Sequence, residues 1–417
     1  MNATQDAFAA LRYRDFSIVT LNQFCLTLAI LIQEIIVAYS LYKITKDPLT
    51  LGLIGLAEAI PFIALSLWGG YFADRFNKQT IMKICLFFAI PLPLVLWGLF
   101  HAYGLKQIEL STLSWGVYAV IFGLGTIRGF YNPSATSLKP FLIPREIYAN
   151  GATRTTIGWQ SGVIIGPMLG GFMLAFFGRE TSFISVAVLL SLCFLLVNLL
   201  SKRTFPKIET ERVLQSLGEG FRFIAKTKIV PWAISLDLVS VLFGGVIALL
   251  PIFAEDILKI GPEGLGYLRA APSIGALITM IALTRFPPTR HAWRNMLLAV
   301  AGFGLFTLLF AYSNYLWLSL FALAMTGACD SISVVIRQTI LQIYPPENMR
   351  GRVAAVNGMF VSSSNELGAF ESGLAAKYLG PVIATVFGGS MTLLVVAFSW
   401  AKTKDLFGVN ITQAEQK

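Results

Sequence analysis

The stretch Gly70-Tyr71-Phe72-Ala73-Asp74-Arg75-Phe76-Asn77-Lys78 decides how the chain is read. Its order is Gly, three residues, Asp-Arg, two residues, Lys, and it forms a short polar hinge between two long apolar segments. The segments on either side, roughly residues 49–72 and 80–103, are each long enough to cross a bilayer core, which takes about 20 apolar residues as a helix. By itself the hinge is a basic turn behind a Gly pair, as any multi-spanning protein might need where the chain returns to water.

The rest of the chain extends that pattern. A soluble chain of 417 residues would split into two or three domains. This one is 56% hydrophobic with 32 Phe and only 13% charged, against roughly 25% charged in ordinary globular proteins. It therefore reads as an all-α integral membrane protein. Apolar runs bounded by charge, Gly or Pro give twelve spans: 16–42, 49–72, 80–103, 112–136, 149–177, 181–200, 229–254, 264–284, 295–313, 316–342, 353–377 and 381–400. An even number puts both termini on one side.

Lys and Arg choose the side. The termini and even-numbered loops hold 22 of the 32, the odd-numbered loops six, and Arg128, Arg154, Arg269 and Arg337 fall within spans. The positive-inside rule then makes both termini cytoplasmic, and the net charge of +10 follows from topology without a nucleic-acid partner. Cys25, Cys85, Cys193 and Cys329 sit inside apolar runs without metal-ligand spacing, so they read as packing residues. His101 and His291 stand alone, and the first fifteen residues predict no removable signal peptide. No metal or cofactor is expected.

The longest polar interval divides the spans six and six. It gives an N-terminal half (1–200), a linker (201–228) and a C-terminal half (229–417). The second part of the linker, around Ser216–Ile224, is either an amphipathic helix on the cytoplasmic face or a plain connection. The halves repeat each other. Pro144 and Pro346, Gly166 and Gly368, and Gly171 and Gly373 are each 202 residues apart. The run ending at Pro61 (Gly-Leu-Ala-Glu-Ala-Ile-Pro) returns 211 residues later as Gly-Tyr-Leu-Arg-Ala-Ala-Pro, ending at Pro272. A duplicated six-helix unit with a small insertion explains both offsets.

The fifth span contains Gly162, Gly166 and Gly170 at four-residue spacing, followed by Gly171. That stripe lets a neighbouring helix approach closely, and Pro167 removes a backbone donor within it. The spacing alone fits a generic small-residue packing face. The full order Gly-xxx-Gly-Pro-xx-Gly-Gly resembles the antiporter motif of facilitator exporters. The hinge at Gly70–Lys78 likewise resembles the loop between the second and third helices of major facilitator superfamily transporters. The branch it most resembles is the drug- and siderophore-exporting one, of the enterobactin-exporter kind. That likeness rests on Ser216-Leu217-Gly218-Glu219-Gly220-Phe221-Arg222-Phe223, on Leu268–Ala276, and on Tyr344–Val353. The resemblance implies a major facilitator fold, two pseudo-symmetric halves that alternate access, and a gating role for Gly70, Asp74, Arg75, Lys78 and the fourth-span Arg128. Asp74 would latch onto the start of the eleventh span near Arg352–Ala355, with Arg75 and Lys78 on the loop and lipid headgroups. The second-half copy of the hinge, Thr284–Arg290, lacks the Asp-Arg pair, so the latch is expected on one half only.

Charges inside spans each cost about 2.5–3.5 kcal/mol at mid-membrane and so require a partner, water or a task. On the first span Gln23, Thr27 and Glu34 fall within about 20° of one face. Glu34 is therefore the leading carboxylate for proton coupling or substrate binding. Asp237 is close to its position one repeat later, counting 202 residues, and serves either as its counterpart or as a gate pair. Asn365 and Glu366 end a polar run on the eleventh span and make a second candidate. Glu58, Arg269, Asp330 and Arg337 are expected in ion pairs between helices. Asp330 and Arg337, seven residues apart on one helix, are about 10 Å apart and need separate partners.

The sequence thus predicts a monomeric inner-membrane secondary transporter that exports an amphiphilic small molecule, drug-like or siderophore-like, by alternating access with protons as coupling ion. The partners are that substrate, protons and the lipid bilayer. A transporter of a metal cation or a lipid is the alternative. A non-transporting receptor ranks lower. So does a membrane enzyme, for which no Gly-x-Ser-x-Gly elbow or P-loop is present.

Overall fold

A bilayer offers the backbone no hydrogen-bond partner, so each apolar run must satisfy its own N–H and C=O groups as a helix. The computed structural model describes residues 8–201 and 213–409. Its first six long helices are Arg14–Thr45, Pro48–Arg75, Lys78–Gly104, Leu110–Leu138, Tyr148–Phe176 and Gly178–Asn198. A short helix, Val213–Lys226, follows. The remaining six are Ile229–Ile257, Gly261–Arg285, Ala292–Ala311, Leu316–Ile343, Glu347–Leu379 and Pro381–Lys402. Eleven of the twelve are apolar and long enough to cross a membrane by composition alone. The exception is the eleventh span, Glu347–Leu379, which at 33 residues has ample length but carries Ser363, Ser364, Asn365, Glu366 and Glu371 at its middle. The chain is an integral membrane protein with the twelve-helix fold expected from its sequence.

The packing divides the chain differently from the linear reading. One unit comprises Met1–Thr45, Ala57–Thr210 and Gly261–Tyr267; the other comprises Lys46–Leu56, Glu211–Ile260 and Leu268–Lys417. The opening turns of the second and eighth spans thus each cluster away from their own half. Backbone-to-backbone packing is the cause. In the first unit a Cβ on Gly171 would lie 2.3 Å from the Pro262 carbonyl oxygen and 3.1 Å from Gly266 Cα. In the second, a Cβ on Gly373 would lie 2.9 Å from Gly52 Cα. These two glycines are one of the repeat pairs found in the sequence, and they do the same work in each unit.

The helix of the linker belongs to the second unit and lies on the start of the eleventh span. Glu219 and Arg352 form an ion pair, the Phe221 and Phe360 rings meet edge to face at 5.6 Å, and Gly220 sits under the Arg352 carbonyl. The first part of the linker, residues 202–212, lies outside the described residues.

The hinge that opened the sequence reading is folded back on its own unit. The second span ends at Arg75. Asn77 then caps the third, its side-chain oxygen accepting from the Gln79 and Thr80 amides at 3.0 and 3.4 Å, as N-caps do. Lys78 is 2% exposed and donates to the Ala73 carbonyl at 2.9 Å. It staples the turn from within, so the expectation that it holds headgroups is corrected. Arg75 stacks over Tyr71 at 4.6 Å.

Candidate functional site

Most polar and charged side chains inside the spans are held by other side chains or by helix backbone. In the first unit the glycine stripe of the fifth span lies along the first span. Cβ atoms on Gly162, Gly166 and Gly170 would come within 2.8 Å of Thr27, 2.9 Å of Leu31 and 3.0 Å of Ile32. The close approach that the stripe predicted is therefore made, and its partner is the helix that carries Gln23, Thr27 and Glu34.

The placement also corrects that polar face. Thr27 is 7% exposed, pressed on Gly162, and donates to the Gln23 carbonyl at 2.8 Å, so it belongs to the helix contact. Gln23 bonds Thr27 Oγ1 at 3.4 Å and accepts from Lys139 Nζ at 3.5 Å. Glu34 lies about 16 Å further along the same helix, partly buried.

Arg128 is ion-paired with Glu58 and lies over the Phe62 ring at 5.4 Å. Its bond is thus to the second span's interior, and the expected relay toward Asp74 is replaced by this pair. Asp74 makes no hydrogen bond or ion pair among the described residues; its near charge is Lys78. In the hinge the packing glycine is Gly69, whose Cβ would meet the Gly129 carbonyl oxygen at 2.1 Å. Nothing lies within 4 Å of a Cβ on Gly70.

The second unit holds the more deeply buried pair. Asp237 on the seventh span and Arg337 on the tenth are ion-paired with side chains 5% and 3% exposed. Arg337 Nε has no hydrogen-bond partner among the described residues. Asp237 is thereby a structural counter-ion and drops out as a coupling carboxylate.

Its register also differs from the expected one. Gly166 packs on Leu31, while Gly368 packs on the backbone of Val241 and Leu242. Leu242 is 211 residues after Leu31, so the first and seventh spans correspond at 211, and Asp237 answers to Leu26. Glu34 answers to Gly245. There the seventh span is broken: helix ends at Phe243, Gly244 and Gly245 follow, and the chain resumes as a 3-10 turn from Val246 to Leu249. Such discontinuities at mid-membrane present backbone carbonyls to a bound solute. The Gly-Gly doublet was the sequence signal for it and was read only as part of an apolar run.

On the eleventh span Asn365 is exposed and donates to the Val361 carbonyl of its own helix at 2.9 Å. Ser364 does the same toward Phe360 at 2.8 Å. Glu366 Oε2 lies 3.5 Å from where a Cβ on Gly55 would be, against the opening turns of the second span. Asp330, expected in an ion pair, makes no hydrogen bond or ion pair among the described residues. Arg269 is engaged by a group other than Asp330.

An all-helical transport fold with mid-membrane charges, a backbone break and glycine crossings narrows the family, and comparison with known proteins completes the identification. The Major Facilitator Superfamily profile matches residues 19–369. The multidrug efflux pump Tap of Mycolicibacterium fortuitum is 24% identical over 363 residues, covering 82% of this chain and 84% of the pump. The enterobactin exporter EntS of Shigella boydii serotype 18 is 24% identical over 400 residues, covering 91% of this chain and 89% of the exporter. Among solved structures, the nucleoside transporter NupG superposes with a TM-score of 0.73 at 12% identity, over 93% of this chain and 99% of that one. A POT family transporter in complex with 5-aminolevulinic acid gives 0.74 at 11% identity, over 94% and 96%. The chain belongs to the major facilitator superfamily and is a transporter similar to bacterial exporters.

Proposed function

We propose that the protein exports an amphiphilic small molecule, drug-like or siderophore-like, by alternating access with protons as the coupling ion. The observation that carries export is the pair of relatives named as a multidrug efflux pump and an enterobactin exporter, each aligned over more than four fifths of both chains. Its setting is the inner membrane, with both termini cytoplasmic in keeping with the 22-to-six division of Lys and Arg, and the working unit is a monomer.

Glu34 is the coupling carboxylate of this reading. It sits on the helix clasped by the glycine stripe and opposite, by repeat, the Gly244-Gly245 break. An acid at mid-membrane is cheaper to occlude when protonated than when ionised, and this difference ties the proton to the conformation. Gln23 and Glu366 supply polar contacts for the solute. The hinge around Asp74 and Arg75 acts as the cytoplasmic gate, with Glu58–Arg128 and Asp237–Arg337 as fixed struts.

The test is flux of a fluorescent amphiphilic cation and of a catecholate in proteoliposomes under an imposed pH gradient, with natural protein and Glu34→Gln. Gradient-driven flux that loses its gradient dependence in Glu34→Gln is expected. Flux indifferent to both the gradient and the substitution refutes the coupling.

A further inference from the structure

The two halves repeat not only their glycines but one ion pair, with its charges exchanged. In the first unit the second and fourth spans cross at Gly125. A Cβ there would lie 2.2 Å from the Glu58 carbonyl oxygen and 2.8 Å from the Pro61 ring. In the second unit the eighth and tenth spans cross at Gly327, where a Cβ would lie 1.9 Å from the Pro272 carbonyl oxygen. Gly327 is 202 residues after Gly125 and Pro272 is 211 after Pro61, so the two crossings are copies of each other.

One turn from each crossing stand the charges. Glu58 precedes Pro61 by three residues, and Arg269 precedes Pro272 by three. Arg128 follows Gly125 by three, and Asp330 follows Gly327 by three. The first half places acid on the earlier helix and base on the later one; the second half reverses them. Opposite charges at equivalent positions can pair in either arrangement.

The first-half pair is made, with Arg128 braced by Phe62. The second-half pair is open: Asp330 has no hydrogen-bond or ionic partner among the described residues, and Arg269 is engaged elsewhere. A carboxylate at the middle of a span, without a partner, is driven to take a proton and become neutral.

We infer that Asp330 is a proton-binding site of the second half, emptied when Arg269 swings onto it and filled when Arg269 leaves. In the present arrangement Asp330 carries its proton on a carboxyl oxygen. When the eighth span turns Arg269 toward it, as Glu58 and Arg128 already stand in the first half, the carboxylate is held by the guanidinium and the proton leaves to water. The charged and titratable groups on the helices packed around the tenth span do not compete. Asp237 on the seventh is held by Arg337, and Arg285 and Arg294 lie at the ends of the eighth and ninth. Glu366 on the eleventh is engaged, and Glu371 is hydrogen-bonded to Ser372. Cys329 beside it is buried against Gly302.

This site rests on the proton-coupled reading for its role but not for its existence, so it is tested without transport. The carboxylic-acid C=O band of the purified protein in nanodiscs is followed by infrared difference spectroscopy from roughly pH 5 to pH 9. A band that titrates away is expected, absent in Asp330→Asn and kept in Glu34→Gln. Asp330→Glu keeps a carboxyl and should displace the band in frequency. The exchange double variant R269E/D330R rebuilds the first-half arrangement. It should fold with the natural thermal stability and lack the band.

A full band in Asp330→Asn, an undisplaced band in Asp330→Glu, or a double variant that fails to fold overturns the inference. If the band behaves as expected while amphiphile flux ignores the pH gradient, the coupling reading falls and the site stands. If flux follows the gradient and Asp330→Asn keeps the band, the site falls alone.

Discussion

Removing Asp237 should destabilise the second half more than any other single change to a charged side chain described above. The substitution Asp237→Ala leaves the Arg337 guanidinium, 3% exposed, without its counter-ion, and its Nε already lacks an acceptor among the described residues. Breaking a buried pair from one side costs about 3–5 kcal/mol, because the surviving charge keeps its desolvation penalty and loses its compensation. For a cooperative unit of about 200 residues, each kcal/mol moves Tm by roughly 2–4 °C. The expected drop is therefore about 6–20 °C. The assay is thermal labelling of Cys25, Cys85, Cys193 and Cys329, all free and buried, by a thiol-reactive fluorophore at one fixed scan rate in detergent. The double variant Asp237→Leu, Arg337→Met removes both charges and fills the space with apolar atoms. It should recover most of the loss, since apolar replacements of buried pairs are often neutral. A drop below about 3 °C in Asp237→Ala, or equal drops in the single and double variants, would refute the view that an uncompensated buried charge sets the cost.

Three further outcomes follow from contacts already described. Gly69→Ala should abolish folded protein by size-exclusion, because its Cβ would meet the Gly129 carbonyl oxygen at 2.1 Å, whereas Gly70→Ala, with nothing within 4 Å, should leave Tm unchanged; equal behaviour of the two would contradict the packing. Arg352→Gln should raise amide exchange across Val213–Lys226 by a few fold, the loss of a partly exposed pair being worth about 0.2–1 kcal/mol. Gly220→Val should raise it further by pushing on the Arg352 carbonyl, and unchanged exchange in both would mean that the helix is held by something else. Lys228 holds the Asp405 carboxyl below the usual aspartate range by hydrogen bond and charge. A lowered carboxylate contributes stability that is present above its free-chain value and lost as pH falls through the lowered one. Lys228→Met should then return the Asp405 carboxyl titration, followed by carbon NMR, to the ordinary range, and an unmoved titration would deny the bridge.

The sequence determined the bilayer as solvent, the twelve spans, the six-and-six duplication and the family, since each depends on composition and spacing along one chain. The glycine stripe at Gly162, Gly166 and Gly170 was legible for the same reason: four-residue periodicity fixes one helix face before any neighbour is known. Partners were not legible. Thr27 lies on the same face as Gln23 yet is buried under Gly162, and Lys78 turns inward to its own loop, because burial depends on which helix lies opposite. The counterparts of Glu34 and Asp237 were misplaced because one repeat offset of 202 was carried back across an insertion, and only the Gly166–Leu31 and Gly368–Leu242 contacts revealed 211 for the early spans. Tertiary structure decided which charges meet. Glu58 meets Arg128 and Asp237 meets Arg337, while Asp330 stands without Arg269, although spacing alone treated all of them alike. An ion pair is a matter of a few ångströms between different helices, and that distance is set by how closely glycine lets their backbones cross.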